Sequence, residues 1–206
     1  TFVRVDLEGQ PTIPATLDHV VATDLGTTLG VDEARVATVE HVLAALAAFE
    51  VDNVVLELDG PECPILDGSF REFVQGIVEV GVEEQDAPAE FIEVLGPVES
   101  GSKGQPSYVA MPDEGLRVSA TIDFDHALIG RRFGSFELLG DAFATDVAPA
   151  RTFGFEREAA ELRERGLALG SSLDNAVVLG EDGVLNPEGL RFEDEFLRHK
   201  IGDVLG

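Results

Sequence analysis

From Glu83 to Glu90 the chain reads Glu-Glu-Gln-Asp-Ala-Pro-Ala-Glu, a stretch without a large apolar side chain and with a proline near its end. Such a segment has nothing to bury, and its proline lacks a backbone donor, so neither a helix nor a central strand runs through it. It marks a domain boundary. Whatever folds must fold on either side, in one unit over residues 1–86 and another over residues 87–206.

Both units carry the material for a sheet covered by helices. In the first, Val54 to Leu58 has the composition of a strand and runs into the turn-rich Asp59-Gly60-Pro61-Glu62-Cys63-Pro64. Val39 to Phe49 places Val42, Ala45, Leu46 and Phe49 on one helical stripe, with Thr38 in position to cap it. A second helix is expected after Asp67-Gly68-Ser69, burying Phe70, Phe73, Val74, Ile77 and Val78. In the second unit Phe91–Val98, Ser107–Met111, Leu116–Phe124 and Arg132–Leu138 read as strands between Gly, Pro and Asp turns. Glu156 to Arg165 reads as a charged helix closed by Gly166, with Glu161 and Arg165 paired across one turn. Asn175–Leu179 and Val184–Asn186 read as strands around a tight turn, and a last helix carries His199 and Asp203. The expected class is α+β.

Composition removes several function classes. Forty acidic against 14 basic residues give a net charge of −26, which disfavours any general affinity for nucleic acid or anionic membrane surfaces. No apolar run approaches the roughly 20 residues that cross a bilayer, and the first residues lack signal-peptide character, so a soluble, cytoplasmic protein is expected. Two origins for the dispersed acidity stay open: adaptation to concentrated salt, or an acidic protein from a GC-rich genome. The single cysteine, Cys63, excludes an internal disulfide and a Cys-based metal site. Any metal must use histidine and carboxylate.

Those residue types occur in a suggestive pattern. His199 and Asp203, four residues apart, present an imidazole and a carboxylate on one helical face, and Glu40-His41 adds a second imidazole and a spare carboxylate. Two histidines, a ligating carboxylate and a free one are the parts of a zinc hydrolase. Taken singly, each pair reads more simply, as a polar corner at a helix start and as a surface hydrogen bond.

Ordered motifs give a resemblance over nearly the whole chain. Thr38-Val39-Glu40-His41, Asp52-Asn53 and Glu62-Cys63-Pro64-Ile65-Leu66-Asp67-Gly68-Ser69, followed by Ala150-Arg151-Thr152-Phe153-Gly154-Phe155, Asp174-Asn175, Val184-Leu185-Asn186, Gly189-Leu190-Arg191-Phe192-Glu193-Asp194-Glu195-Phe196 and Arg198-His199-Lys200, resemble the UDP-3-O-acyl-N-acetylglucosamine deacetylases of lipid A biosynthesis. The resemblance implies two similar two-layer α/β domains, each a sheet plus paired helices, packed helix face to helix face. It implies a βαβ insert over about residues 155–186 forming an acyl-chain passage, with Leu167, Ala168, Leu169 and Ala176 suited to line it.

The same resemblance implies Zn²⁺ held by His41, His199 and Asp203, Glu40 as general base and Thr152 as oxyanion stabiliser. Phe153 would line the hexose pocket, Asp123 and Phe124 would contact uracil, and Lys200, one of two lysines, would reach the diphosphate or ribose. His19 and His126 receive no role. The substrate would be UDP-3-O-acyl-N-acetylglucosamine, the protein a monomer, and the cell a Gram-negative-type bacterium. A non-catalytic UDP-sugar-binding homologue and a metalloamidase for another acylated substrate are the competing functions. The family's first strands and a later Gly-His segment bearing a catalytic acid are expected to lie outside these 206 residues, so the stretch alone is expected to expose strand edges.

Overall fold

A computed structural model describes residues 1–102, 106–166, 168 and 170–206. In chain order, strands β1 (Phe2–Arg4), β2 (Thr12–Ile13), β3 (Val20–Ala22), β4 (Thr28–Val31) and β5 (Ala34–Val36) precede helix α1 (Glu40–Ala48), strand β6 (Leu56–Leu58) and helix α2 (Arg71–Val80). There follow β7 (Val98–Gly101), β8 (Ser107–Ala110), β9 (Arg117–Phe124), β10 (Gly130–Glu137), α3 (Gly140–Asp146), β11 (Phe153–Phe155), α4 (Ala159–Glu164), β12 (Val177–Leu179) and α5 (Glu195–Leu205). The class is α+β. The sheets are small: β2-β1-β6, β3-β4-β5, and the pairs β7-β8, β9-β10 and β11-β12.

Helix α1 organises the interior because it is apolar on two faces. Val42 and Leu46 pack with Phe2, Ile13, Leu29 and Val36 of the first-half strands. Ala44, Ala45 and Ala48 turn to a second cluster with Phe70, Phe143, Leu197 and Ile201. A helix apolar on several sides belongs inside, and its alanines leave room for a close neighbour. That neighbour is α5, the helix with which α1 makes its most extensive contact. Gly202 of α5 completes the fit, since a Cβ there would lie 2.3 Å from Cζ of Phe70.

On the far side of α5 lies the β9-β10 hairpin, whose residues alternate between exposed and half-buried positions along both strands. Val118, Ala120, Ile122 and Phe136 supply its inward face. β11 and β12 pair in parallel with α4 between them, a βαβ unit beginning at Phe153, slightly earlier than its expected start. Leu167 and Leu169 lie outside the described residues, while Ala168 is exposed and Ala176 is buried. No helix among the described residues is long and apolar enough to cross a membrane.

Several local expectations change. Thr38 does not cap α1: its φ is +57°, and its hydroxyl donates to the Glu62 carboxylate at 2.7 Å, leaving Val39 before the helix. The long-range bond wins over the local one. Phe91, Ile92 and Leu95 form no strand and are 83–97% exposed, because no neighbouring described strand takes their backbone groups. Val184 makes only an isolated bridge to Leu179 instead of a strand. Arg165 faces Asp24 at 3.7 Å, across to the β3–β4 turn, and not Glu161. Val78 is largely exposed, although Phe70 and Val74 are buried as the spacing predicts. The early strands β1 to β5 and helix α3 are too short to give a periodic signal.

Candidate metal centre

The contact between α1 and α5 brings together residues far apart in sequence. His41 lies on the first turn of α1, and His199 and Asp203 lie one turn apart on α5, so one ligand atom from each falls within 4.8 Å of the others. Nε2 of His199 is 3.3 Å from Oδ1 of Asp203, and Nε2 of His41 is 3.9 Å from the same oxygen. The two rings stand at 5.0 Å in an edge arrangement. Phe70 seals the cluster, at 4.9 Å from the His41 ring and 5.0 Å from that of His199.

Protonation fits a cation. Burial pushes the His41 imidazole down to about 4 and also lowers that of His199. Both rings are therefore neutral near pH 7 and have lone pairs to give. Burial alone would raise the Asp203 carboxyl, but in the acid range where it titrates the then-charged His199 and His41 rings and the Lys200 ammonium hold it below its ordinary value. Oδ1 of Asp203 and Nδ1 of His41 are buried with no hydrogen-bond partner. Such orphans are expensive in a finished core. A divalent cation between two neutral imidazoles and an ionised carboxylate would satisfy the acceptor, and this donor set suits zinc.

Outer contacts orient the set. Nδ1–H of His199 donates to the Ala150 carbonyl at 3.0 Å, which leaves the Nε2 lone pair facing Asp203. Oδ2 of Asp203 accepts from Nζ of Lys200 at 2.9 Å, so Lys200 already has a carboxylate partner beside the cluster. Glu40, one residue before His41, is 7% exposed and accepts from the Thr27 backbone N–H at 2.9 Å. Burial raises its pKa, with the Thr27 N–H partly opposing. A buried carboxyl of raised pKa is a better proton acceptor than a solvated one.

The remaining sequence-predicted residues divide. Phe153 is 5.8 Å from Nζ of Lys200 and meets Phe124 edge to face at 5.4 Å, which joins the aromatic cluster to the metal end of the site. Asp123, by the alternation of β9, is exposed on the face opposite Phe124. Thr152 is held by its backbone, its N–H donating to Gly68 at 2.7 Å and its carbonyl accepting from Val177 at 2.8 Å. Gly68 permits this approach: at φ +81° a Cβ would sit 2.0 Å from the Asn175 oxygen. His126 bonds the Gly180 carbonyl at 3.0 Å and serves as a clip between the β9–β10 turn and β12. His19 is half-buried and bonds Thr16.

Sequence reasoning passed over Phe70 as a wall of the cluster and the buried pair Arg151 and Glu195 behind it. Glu195 stands four residues before His199, the same spacing that exposed Asp203. It also passed over Asp67, which binds Arg71 at 2.8 Å and Arg191 at 2.9 Å and so ties the loop before α2 to the segment before α5.

Comparison with known proteins gives a consistent result. The family described as UDP-3-O-acyl N-acetylglycosamine deacetylase matches over residues 1–206. Among curated proteins, UDP-3-O-acyl-N-acetylglucosamine deacetylase of Bdellovibrio bacteriovorus is 45% identical over 205 residues, covering 100% of this chain and 68% of its own length. Those of Myxococcus xanthus and Acidithiobacillus ferrooxidans are 49% and 46% identical, with 100% of this chain and 65% and 68% of their lengths covered. The chain thus spans about two thirds of these relatives.

Proposed function

This chain belongs to the UDP-3-O-acyl-N-acetylglucosamine deacetylase family, and from that premise we propose that it performs the zinc-dependent removal of acetate from UDP-3-O-acyl-N-acetylglucosamine, a step of lipid A biosynthesis. The observation that carries this is the convergence of two neutral imidazoles on a buried, unpartnered Asp203 oxygen, with Glu40 buried one residue before His41. His41, His199 and Asp203 would hold the zinc. Bound there, the metal supplies a Lewis acid for the acetamide carbonyl and lowers the pKa of water.

The protein's own groups do the rest. Glu40, its pKa raised by burial, takes a proton from the attacking water. Thr152 donates its hydroxyl to the oxygen that gains charge. Phe153, half-buried between Phe124 and Phe196, presents an apolar wall to the hexose. Phe124 stacks on uracil, with Asp123 at the outer edge. Lys200 exchanges part of its bond with Asp203 for the anionic nucleotide, which needs a local cation in so acidic a protein. The βαβ unit of β11, α4 and β12 receives the acyl chain.

This reading also takes the chain as two similar sheet-and-helix units divided near residue 86, with α1 and α2 of one facing α5 of the other, acting as a cytoplasmic monomer. The test is acetate release from the acylated nucleotide sugar, followed through chelation and re-addition of zinc. Activity should vanish and return. Turnover that survives complete metal removal would overturn the mechanism.

A further inference from the structure

We propose that the buried Arg151–Glu195 ion pair is a positioning device for the metal centre, fixing the roll of α5 so that Nε2 of His199 faces the metal; the inference rests on the zinc site proposed above. Glu195 opens α5 and is 0% exposed. It shares a helical face with His199 one turn later. Oε1 accepts from the Arg151 backbone N–H at 3.0 Å and from its Nε at 2.9 Å. Oε2 accepts from Nη2 of Arg151 at 3.3 Å and from the Arg191 backbone N–H at 2.6 Å. The carboxylate is saturated, and every donor belongs to the segments against which α5 begins.

Arg151 is anchored in turn. It is 2% exposed, and Nη2 also reaches the Gly189 carbonyl at 2.7 Å. The residue before it, Ala150, supplies the carbonyl that accepts from Nδ1–H of His199, and the residue after it is Thr152. One three-residue segment therefore bonds α5 twice on the same face, through Glu195 and through His199. Any rotation that re-aimed the His199 ring would break both.

Stability alone does not call for such a pair. Buried ion pairs lose much of their attraction to desolvation, and apolar residues of like volume commonly serve a core as well. What a planar guanidinium on a carboxylate adds is direction, and outer contacts of metal-binding histidines tune affinity by about 10- to 100-fold.

Cobalt(II) substitution reads this directly in the full chain. Wild type should bind one Co²⁺ with visible d–d bands. Glu195→Gln, isosteric and uncharged, should bind Co²⁺ about 10- to 100-fold more weakly, with altered band positions and an unchanged far-ultraviolet circular dichroism spectrum. If Glu195→Gln does not fold, Arg151→Lys keeps the buried positive charge without the planar fork and should shift both quantities the same way. Wild-type Co²⁺ affinity and spectrum in a folded variant of the pair would overturn the positioning role. A wild-type chain that takes up no Co²⁺ would overturn the zinc site itself, an outcome recognisable before any variant is made.

Discussion

The metal end of the site and the aromatic cluster proposed as its substrate end are built differently. At the metal end His41, His199 and Glu40 are buried, hydrogen bonds of 3.0 and 2.9 Å orient His199 and Glu40, and Gly202 brings α5 against Phe70. In the aromatic cluster Phe124, Phe153 and Phe155 are half-exposed and meet at 5.4–6.4 Å, two pairs edge to face and the third tilted, and the helix beside them, α4, is short. Directional bonds in a dry interior permit one geometry, whereas aromatic edges in a half-open cluster permit several. The contrast fits the proposed division between a fixed metal centre and a more adaptable binding surface. Changes at the first end should therefore alter turnover, and changes at the second should alter binding.

The largest effect is expected at Glu40. Glu40→Gln keeps the Thr27 contact and the bulk but cannot accept a proton, so kcat should fall about 10²- to 10⁴-fold with zinc content unchanged. Steady-state kinetics beside metal analysis would check this, and loss of zinc would blur the division between Glu40 and the ligands. Thr152→Val comes next, with a decrease of about 10²- to 10³-fold in kcat and little change in KM.

Acid should break the metal end first. The His41 imidazole is lowered from 6.5 to about 4 by burial, so between those values the unfolded chain binds a proton that the folded metal-free chain does not. Stability is then fully present above about pH 6.5 and declines as pH falls toward 4, by on the order of 3 kcal/mol from this group. Denaturant titrations of the metal-free protein at a series of pH values would show the slope. A flat profile across that window would mean that His41 is not buried neutral.

At the substrate end Phe124→Ala should weaken nucleotide binding by about 1–3 kcal/mol, raising KM while kcat and zinc content stay near wild type. A fall in kcat with constant KM would place Phe124 with the metal end instead.

Legibility followed the same division. The ligands were readable because His199 and Asp203 share one helix and one periodicity, and because Glu40-His41 opens another. What periodicity could not give was contact between elements. Glu195 carried the right spacing to His199, yet nothing local announces that its partner is Arg151, 44 residues earlier. Thr38 looked like a helix cap by residue type and instead binds Glu62 from a turn 24 residues away. The strands β1 to β5 were invisible since each spans a few residues, too few for alternation to stand out, and they are fixed by pairing with sequence-distant partners such as Phe2 with Leu56. Tertiary pairing decides such elements, and one sequence does not display it.

The most direct test compares zinc stoichiometry across the two ends by elemental analysis of wild type, His199→Ala and Phe124→Ala. One zinc per chain is expected in wild type and in Phe124→Ala, and markedly less than one in His199→Ala. Full zinc occupancy in His199→Ala would contradict the assignment of the α1–α5 cluster as the metal centre.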